Sequence, residues 1–470
     1  MSPPSLLWFR RDLRLADHPA LVAAAEAGPV QGVFVLDDVL WAPSGANRRA
    51  FLIRSLASLD EAMGGTLAVR SGDPAEVLGR LCEETGARDV FATEDFGPYG
   101  RQRDERVAKD LATGGRNLRL IDSPYAVAPG SVTTGSGTSY KVFTPFYRAW
   151  REHGWVRPGG PVDVDWVAPR DGGGLPPAPE PTADLPRAGE EAAHDTADRF
   201  LDERLDDYAE ARDRPGVDGT SRLSPYLKWG AIHPRQLLAR LGSSQGAEAF
   251  RSELCWREFY AEVLWARPES ARRSLREDMA AMEIDEGPDA DERFAAWADG
   301  RTGYPIVDAG MRQLVAEGWM HNRVRMIVAS FLVKDLHLDW GRGARFFMEH
   351  LVDGDLASNQ HGWQWVAGTG TDASPYFRVF NPVSQSKKFD PDGTYIRRWI
   401  PEIRLLPDRS IHAPWTERNG APAAYPGPIV DHDSERKEAL RRYDALKGRS
   451  GEERRPLRPG GEHPRRGNGR

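Results

Sequence analysis

The hydrophobic pattern of this chain changes its period once, and that change sets the architecture. Up to about residue 130, short apolar runs alternate with helical patterns. Leu6 to Phe9, Val30 to Leu36, Thr66 to Val69 and Val90 to Ala92 read as strands. Helical patterns fall between them, from Pro19 to Ala27, Ala50 to Met63, Pro74 to Glu84 and Gln102 to Leu111. This rhythm predicts a parallel sheet covered by helices, with ligands at the carboxyl ends of its strands. From about Pro158 to Glu190 the chain is dominated by Pro, Gly and Asp, as in a linker. Beyond His194 strand signals nearly vanish, and helical periodicity runs from Ala197–Arg212 through Gly343–Leu351. The expectation is an α/β region at 1–130, an interdomain linker at 131–195, an all-α region at 196–446 and a disordered basic tail at 447–470.

Composition narrows the class. The chain has 470 residues, enough for two or three domains at about 150 each. With 40% hydrophobic and 28% charged residues it resembles an ordinary soluble protein. No run of about 18 apolar residues is present, so no membrane span is expected. The first apolar stretch is read as a strand rather than a signal peptide. The two cysteines, Cys82 and Cys255, are far apart, which excludes a disulfide scaffold and fits the reducing cytoplasm. A net charge of -7 argues against a uniformly basic nucleic-acid binder and leaves room for local basic patches. Of the 15 Trp, eight fall between Trp256 and Trp399.

Neither G-x-G-x-x-G after the first strand nor a Walker-type loop occurs, and no H-E-x-x-H or G-x-S-x-G motif is found. The segment Gly219 to Pro225 offers three hydroxyls, Arg222 and free backbone N–H groups at a helix start, a cradle for an anion or an ordinary helix cap. Glu253, Trp256 and Arg257 share a helix face, as a functional cluster or an ion pair beside a core Trp. Asn322, Arg325 and Met326 share another, on a helix otherwise rich in apolar residues. Asn322 and Arg325 therefore need partners, and Asp353 and Asp355 are candidates. In Asn359-Gln360-His361-Gly362-Trp363-Gln364-Trp365, aromatic and polar groups alternate in a way that packing seldom requires. Aromatics with nearby Arg212, Arg323 and Arg378 fit base stacking and phosphate contacts, unless those Arg are simply solvated.

At these residues the chain resembles the DNA photolyase/cryptochrome family, in particular the class I cyclobutane pyrimidine dimer photolyases. The resemblance covers residue 5 to about 445. It rests on Trp8-Phe9-Arg10-Arg11-Asp12-Leu13-Arg14, Gly219 to Pro225, Trp256 to Tyr260, Thr302 to Ala309, Gly318 to Met326 and Asp353 to Trp365. The resemblance implies a Rossmann-like antenna domain and a helical domain holding FAD. It implies an enzyme, a deoxyribodipyrimidine photo-lyase, that uses light to split pyrimidine dimers in UV-damaged DNA after flipping them into a pocket.

Carried over residue by residue, Thr220, Ser221, Leu223 and Ser224 would hold the FAD diphosphate, with Tyr208 and Arg257 nearby. Asn322, Arg325, Asp353, Asp355 and Asn359 would line the flavin, with Arg325 paired to Asp353. Trp256 and Trp365 would flank the dimer, Glu253 would hydrogen-bond its base edge and Met326 would lie against it. A Trp relay would begin at Trp363 and continue through Trp340. Gly287 stands where the family usually places the outermost Trp, so Trp297, Trp319 or a partly exposed Trp340 would have to end the relay. Phe34, Asp37, Arg48, Asp95, Tyr99 and Lys228 match the antenna residues of members that bind 8-hydroxy-5-deazaflavin. Methenyltetrahydrofolate is the alternative antenna. Competing functions are a cryptochrome-type photoreceptor and repair of (6-4) photoproducts, against which Asn359 and Met320-His321-Asn322-Arg323 argue respectively. No protein partner is implied, and a monomer is expected.

Overall fold

The computed structural model describes residues 3–170, 174–372, 378–418, 420 and 422–452, with side chains of the last helix described to residue 446. Five parallel strands form one sheet in the order β3-β2-β1-β4-β5. They are β1 (Ser5–Phe9), β2 (Val30–Leu36), β3 (Ala68–Ser71), β4 (Asp89–Ala92) and β5 (Asn117–Leu120). β1 and β2 are buried at every residue, because helices cover both faces of a parallel sheet. Leu7, Phe9 and Phe34 pack on one face and Leu6, Trp8 and Val33 on the other, as alternate side chains of a strand must. The chain reverses direction across the sheet at the β1/β4 boundary, so the crevice for a ligand lies at the carboxyl ends of these strands.

The stretch 131–195 is more than a linker. It contains the helix Phe143–His153, whose Phe143, Phe146 and Trp150 make a buried stripe on the helical body. It also contains the first turns of Glu190–Glu203. Val30 N donates to Asp165 O at 2.9 Å and Val167 N to Val30 O at 2.8 Å, so the Pro-rich stretch runs beside β2. Val162, Val164 and Trp166 cover the sheet's core there. The Pro and Gly that break regular structure do not prevent this packing.

Beyond residue 189 all regular elements among the described residues are helices. The helix Asn322–Lys334 is central, with Val324, Ile327, Val328, Phe331 and Leu332 buried against Pro305–Glu317 and Leu356–Ala367. The last helix, His432–Glu452, corrects the tail boundary at 446 by six residues. Its packed turns, with Ala439 and Leu446 buried, nucleate a helix that adds further residues at little cost. The rest of the expected tail, 453–470, lies outside the described residues. No described helix is long and apolar enough to cross a membrane.

Buried polar contacts join the α/β and helical regions. Arg235 Nε donates to Asp17 Oδ2 at 2.7 Å, Arg14 Nη1 to Gly230 O at 3.1 Å and Asn47 Nδ2 to His350 O at 2.8 Å. Gly230, at φ 67, is required by this approach: a Cβ would lie 2.0 Å from Arg11 O.

Candidate cofactor and substrate site

The centre of the site is the meeting of three helix ends. The Asn322–Lys334 helix starts at His321, whose Nδ1 accepts from Arg323 N at 3.2 Å. Burial pulls His321 down to about 4, so it stays a neutral cap. The loop carrying Asp353 is pinned beside this start by Val352 N donating to Gly318 O at 2.8 Å. Across the gap Arg325 Nη2 donates to Asp353 Oδ2 at 2.8 Å and Arg325 Nε to Met320 O at 2.8 Å. The helix Leu356–Ala367 is capped by Asp355, which accepts from Ser358 N at 3.0 Å. Burial would raise the Asp355 carboxyl, but Arg11, Lys228 and Arg257 outweigh it and hold it well below the carboxylate range. Arg11 Nη2 reaches it at 2.6 Å from the α/β region. Asn359, one turn on, is buried and donates to Ala344 O at 3.1 Å.

This region leaves polar atoms unpaired. Asp353 Oδ1, His321 Nε2 and Trp363 Nε1 are all buried without a hydrogen-bond partner among the described residues. Buried polar atoms are normally satisfied. A donor and acceptor set of this kind, beside the exposed Asn322, fits a guest with polar ring edges such as a flavin.

The Gly219–Pro225 segment supplies the second half. Arg222 adopts φ 53, its guanidinium lies 3.8 Å over the Trp319 ring, and its Nη1 pairs with Glu317 at 2.8 Å. Trp319 Nε1 donates to Ser224 Oγ at 3.2 Å, and Leu223 N donates to Ser221 Oγ at 3.4 Å. Thr220 and Ser221 are half-buried, Ser224 is exposed, and Tyr208 and Leu223 are buried. Arg257 is committed elsewhere: it donates to Leu227 O at 3.1 Å and Pro124 O at 3.3 Å and lies over Tyr125. It braces the segment from behind.

Where the resemblance implies the substrate would lie, Trp256 is backed by a residue that sequence reasoning missed. The Phe143 ring stacks on it at 3.7 Å with an interplanar angle of 6°. The spacing of Phe143, Phe146 and Trp150 was the available signal, hidden within a stretch read as a linker. Trp365 and Met326 are half-buried. Burial raises the Glu253 carboxyl, opposed by Arg212, which pairs with it at 2.7 Å. Arg323 pairs with Asp213 at 2.9 Å and lies 4.4 Å over Phe389. Arg212 and Arg323 therefore already carry carboxylate partners, whereas Arg378 is exposed.

Trp363 is buried and meets Phe347 at 5.0 Å and Trp297 at 6.2 Å. Trp297 is fully buried, so it is not the relay's surface end. Trp340 and Trp319 are each 8% exposed, and Trp340 Nε1 donates to Ser274 Oγ at 3.2 Å. Gly287, at φ 90, caps the helix Pro288–Ala298.

The antenna-region residues gather at the strands' carboxyl ends and the domain boundary. Asp37 accepts from Tyr99 Oη at 2.6 Å and from Val39 N at 3.1 Å. Asp95 pairs with Arg103 at 3.2 Å. Phe34 is part of the sheet's core, and Arg48 donates to the carbonyls of Met348 and Leu351. Arg48 thus clamps the helical region. Burial and repulsion from Arg11 pull Lys228 down to about 7.

Comparison with known proteins identifies the family. Residues 5–163 match the family DNA photolyase, and residues 250–445 match the FAD binding domain of DNA photolyase. A deoxyribodipyrimidine photo-lyase of Vibrio cholerae is 42% identical over 94% of this chain and 100% of its own length. A class III photolyase from Agrobacterium tumefaciens superposes with a TM-score of 0.89 at 39% identity, covering 95% of this chain and 98% of its own. An archaeal photolyase from Sulfolobus tokodaii, solved with two FAD molecules, gives 0.82 at 29%, covering 94% and 100%. With both halves matched and 94% of its length aligned to a photo-lyase at 42% identity, the chain belongs to the DNA photolyase family.

Proposed function

We propose that this protein repairs cyclobutane pyrimidine dimers in UV-damaged DNA, driven by light and using FAD. The observation that carries this reading is a pair of features on two helices that pack together, Tyr260 of one stacking on His361 of the other at 5.6 Å: unpaired buried polar atoms at Asp353, His321 and Trp363, and the aromatic platform of Trp256 on Phe143. One place suits a flavin and the other a pair of stacked bases.

FAD, once bound and reduced, supplies light absorption and a transferable electron. The chain supplies everything else. Arg325 and Asp353 hold each other and leave Asp353 Oδ1 for a ring donor. The Gly219–Pro225 hydroxyls and N–H groups suit a diphosphate. Trp256 and Trp365 offer faces for the dimer, Met326 lines the pocket, and Glu253 presents a carboxyl to the base edges. Extrusion of the dimer costs less than that of normal bases because a lesion is already poorly stacked. Splitting the ring breaks two carbon–carbon bonds with no net oxidation, so orientation and a dry pocket are what the protein must provide. Arg212, Arg323 and Arg378 are the phosphate contacts. Trp363 and then Trp340 deliver electrons when the resting flavin is oxidised.

In the antenna crevice, Asp37, Tyr99, Asp95 and Lys228 favour 8-hydroxy-5-deazaflavin over methenyltetrahydrofolate. We assign the protein to the cytoplasm as a monomer. The deciding experiment illuminates purified, FAD-loaded protein with irradiated DNA and counts dimers. Loss of cyclobutane dimers supports the reading. Loss of (6-4) photoproducts alone, or no repair with tight FAD, points to the alternatives.

A further inference from the structure

The ammonium of Lys334 is buried and has no part in the site described above. Lys334 closes the Asn322–Lys334 helix and is 5% exposed. Its Nζ donates to the main-chain carbonyl of Arg378. One turn earlier, Ser330 Oγ accepts from Phe380 N at 3.5 Å. Farther back on the same helix, Arg323 lies 4.4 Å over Phe389. Positions 323, 330 and 334 follow helical spacing, so one helix face carries all three. It holds the stretch from Arg378 to Phe389 at three points, while the first turns of the same helix bear Asn322 and Met326.

A buried ammonium is an expensive way to fill space, since an apolar side chain of similar volume avoids its desolvation. Among the contacts a lysine adds here is a directed hydrogen bond at the Arg378 main chain. Burial pulls the group down to about 8 and the neighbouring Asp335 opposes this, so the side chain remains a donor in either state. Asp335 is itself held by His432 Nδ1 at 2.5 Å.

The geometry points to Lys334 as a positioning residue for DNA: it fixes the main chain at Arg378, so that the exposed Arg378 guanidinium is presented to a phosphate beside the lesion. This rests on the reading of Arg378 as a phosphate contact. It makes the helix a common ruler for the two functions, setting the distance from the residues that face the flavin and the lesion to a residue that grips the strand.

The test uses full-length, FAD-loaded protein and a duplex with one dimer, with affinity measured against salt. Removing one phosphate contact lowers the slope of log K against log salt by about one. Arg378→Ala should do this, and Lys334→Met should do nearly the same, with affinity falling roughly three- to tenfold. The double variant should bind no more weakly than Arg378→Ala. Lys334→Arg, which keeps a cationic donor, should recover most of the slope. FAD content should be unchanged throughout. A full slope in Lys334→Met, or losses that simply add in the double variant, overturns the positioning role while leaving Arg378 as a contact. A full slope in Arg378→Ala overturns the underlying reading instead. Lys334→Ala covers the case in which methionine is not accommodated. If neither variant folds with FAD, the lysine is structural and the proposal fails.

Discussion

The two ligand regions satisfy their polar groups differently. At the carboxyl ends of the strands, Asp37, Asp95 and Asp104 each hold a protein partner: Tyr99, Arg103 and Arg10. At the meeting of helix ends, Asp353 Oδ1, His321 Nε2 and Trp363 Nε1 hold none among the described residues. A crevice closed by its own ion pairs loses little when empty. A cavity with unpaired buried atoms pays for every one of them until a guest arrives. Arg10 Nη2 in the α/β region is unpaired as well, so the contrast lies in the carboxylates: those at the strand ends are held by protein partners, whereas Asp353 keeps one oxygen open, which fits a more tightly needed guest in the helical region.

The largest expected effect strikes the region that needs its guest. Asp353→Ala would strand the half-buried Arg325 guanidinium at a cost of roughly 3 kcal/mol or more. FAD content, read from flavin absorbance against protein absorbance, should fall at least about tenfold, since about 1.4 kcal/mol is a factor of ten. Asp95→Asn should leave FAD content near wild type. Equal losses from both would erase the contrast.

Next comes the electron path. Trp363→Phe should nearly abolish photoreduction in transient absorption and leave repair intact when the flavin is reduced chemically. A normal photoreduction rate would move the start of the relay away from Trp363.

The substrate platform is worth about one stacked base. Base stacking contributes about 1–3 kcal/mol. Trp256→Ala should weaken binding to dimer-containing DNA about tenfold or more by gel shift, with FAD retained. Phe143→Ala, which removes the backing ring together with its packing on Tyr147 and Phe259, should lie between this and wild type once folding is checked by FAD content. If Phe143→Ala has no effect, Trp256 holds its plane without help.

The smallest effect belongs to the strand-end site. Lys228 sits near 7 in the fold, below an ordinary lysine at about 10.4. The unfolded chain then binds more protons between these values, so this residue's contribution to stability rises with pH across about 7 to 10 and is lost as pH falls through 7. Lys228→Met should flatten unfolding measured across that range. An anionic antenna chromophore should also bind less well as pH rises from about 7 to 9, because the lysine loses its charge. Denaturant melts and titrations in that window check both signs.

How much of this was written in the sequence depends on the distance over which the reasons act. Val30–Leu36 was delimited correctly from its own run of apolar residues. β5 was missed because Asn117-Leu118-Arg119-Leu120 is a short edge strand with mostly exposed residues, specified by its pairing with β4 rather than by its composition. A charged residue on an apolar helix demands a partner, which narrows Arg325 to Asp353 or Asp355; the choice of Asp353 comes from the resemblance, and the fold has that pair. The Phe143–Trp256 stack was not, since nothing in either local pattern announces the other. The resemblance puts Arg257 near the diphosphate, while its contacts are carbonyls of Pro124 and Leu227 that only the folded chain brings to it.

The clasp between Asp17 and Arg235 also sets a timetable. These residues are 218 positions apart, and Asp17 is buried at 2% exposure. A ribosome adding about 5–20 residues per second needs roughly 10–40 s to span that interval. Until then the α/β region emerges with the Asp17 carboxylate lacking its direct partner, and only the neighbouring Arg14 offsets its charge. Its strands can pair early, but the rim facing the helical region must stay wet and unfinished until the later residues are made. Synthesis thus passes through a half-assembled protein open along the surface that later joins its two halves, and slowing translation between the two positions would prolong that exposure.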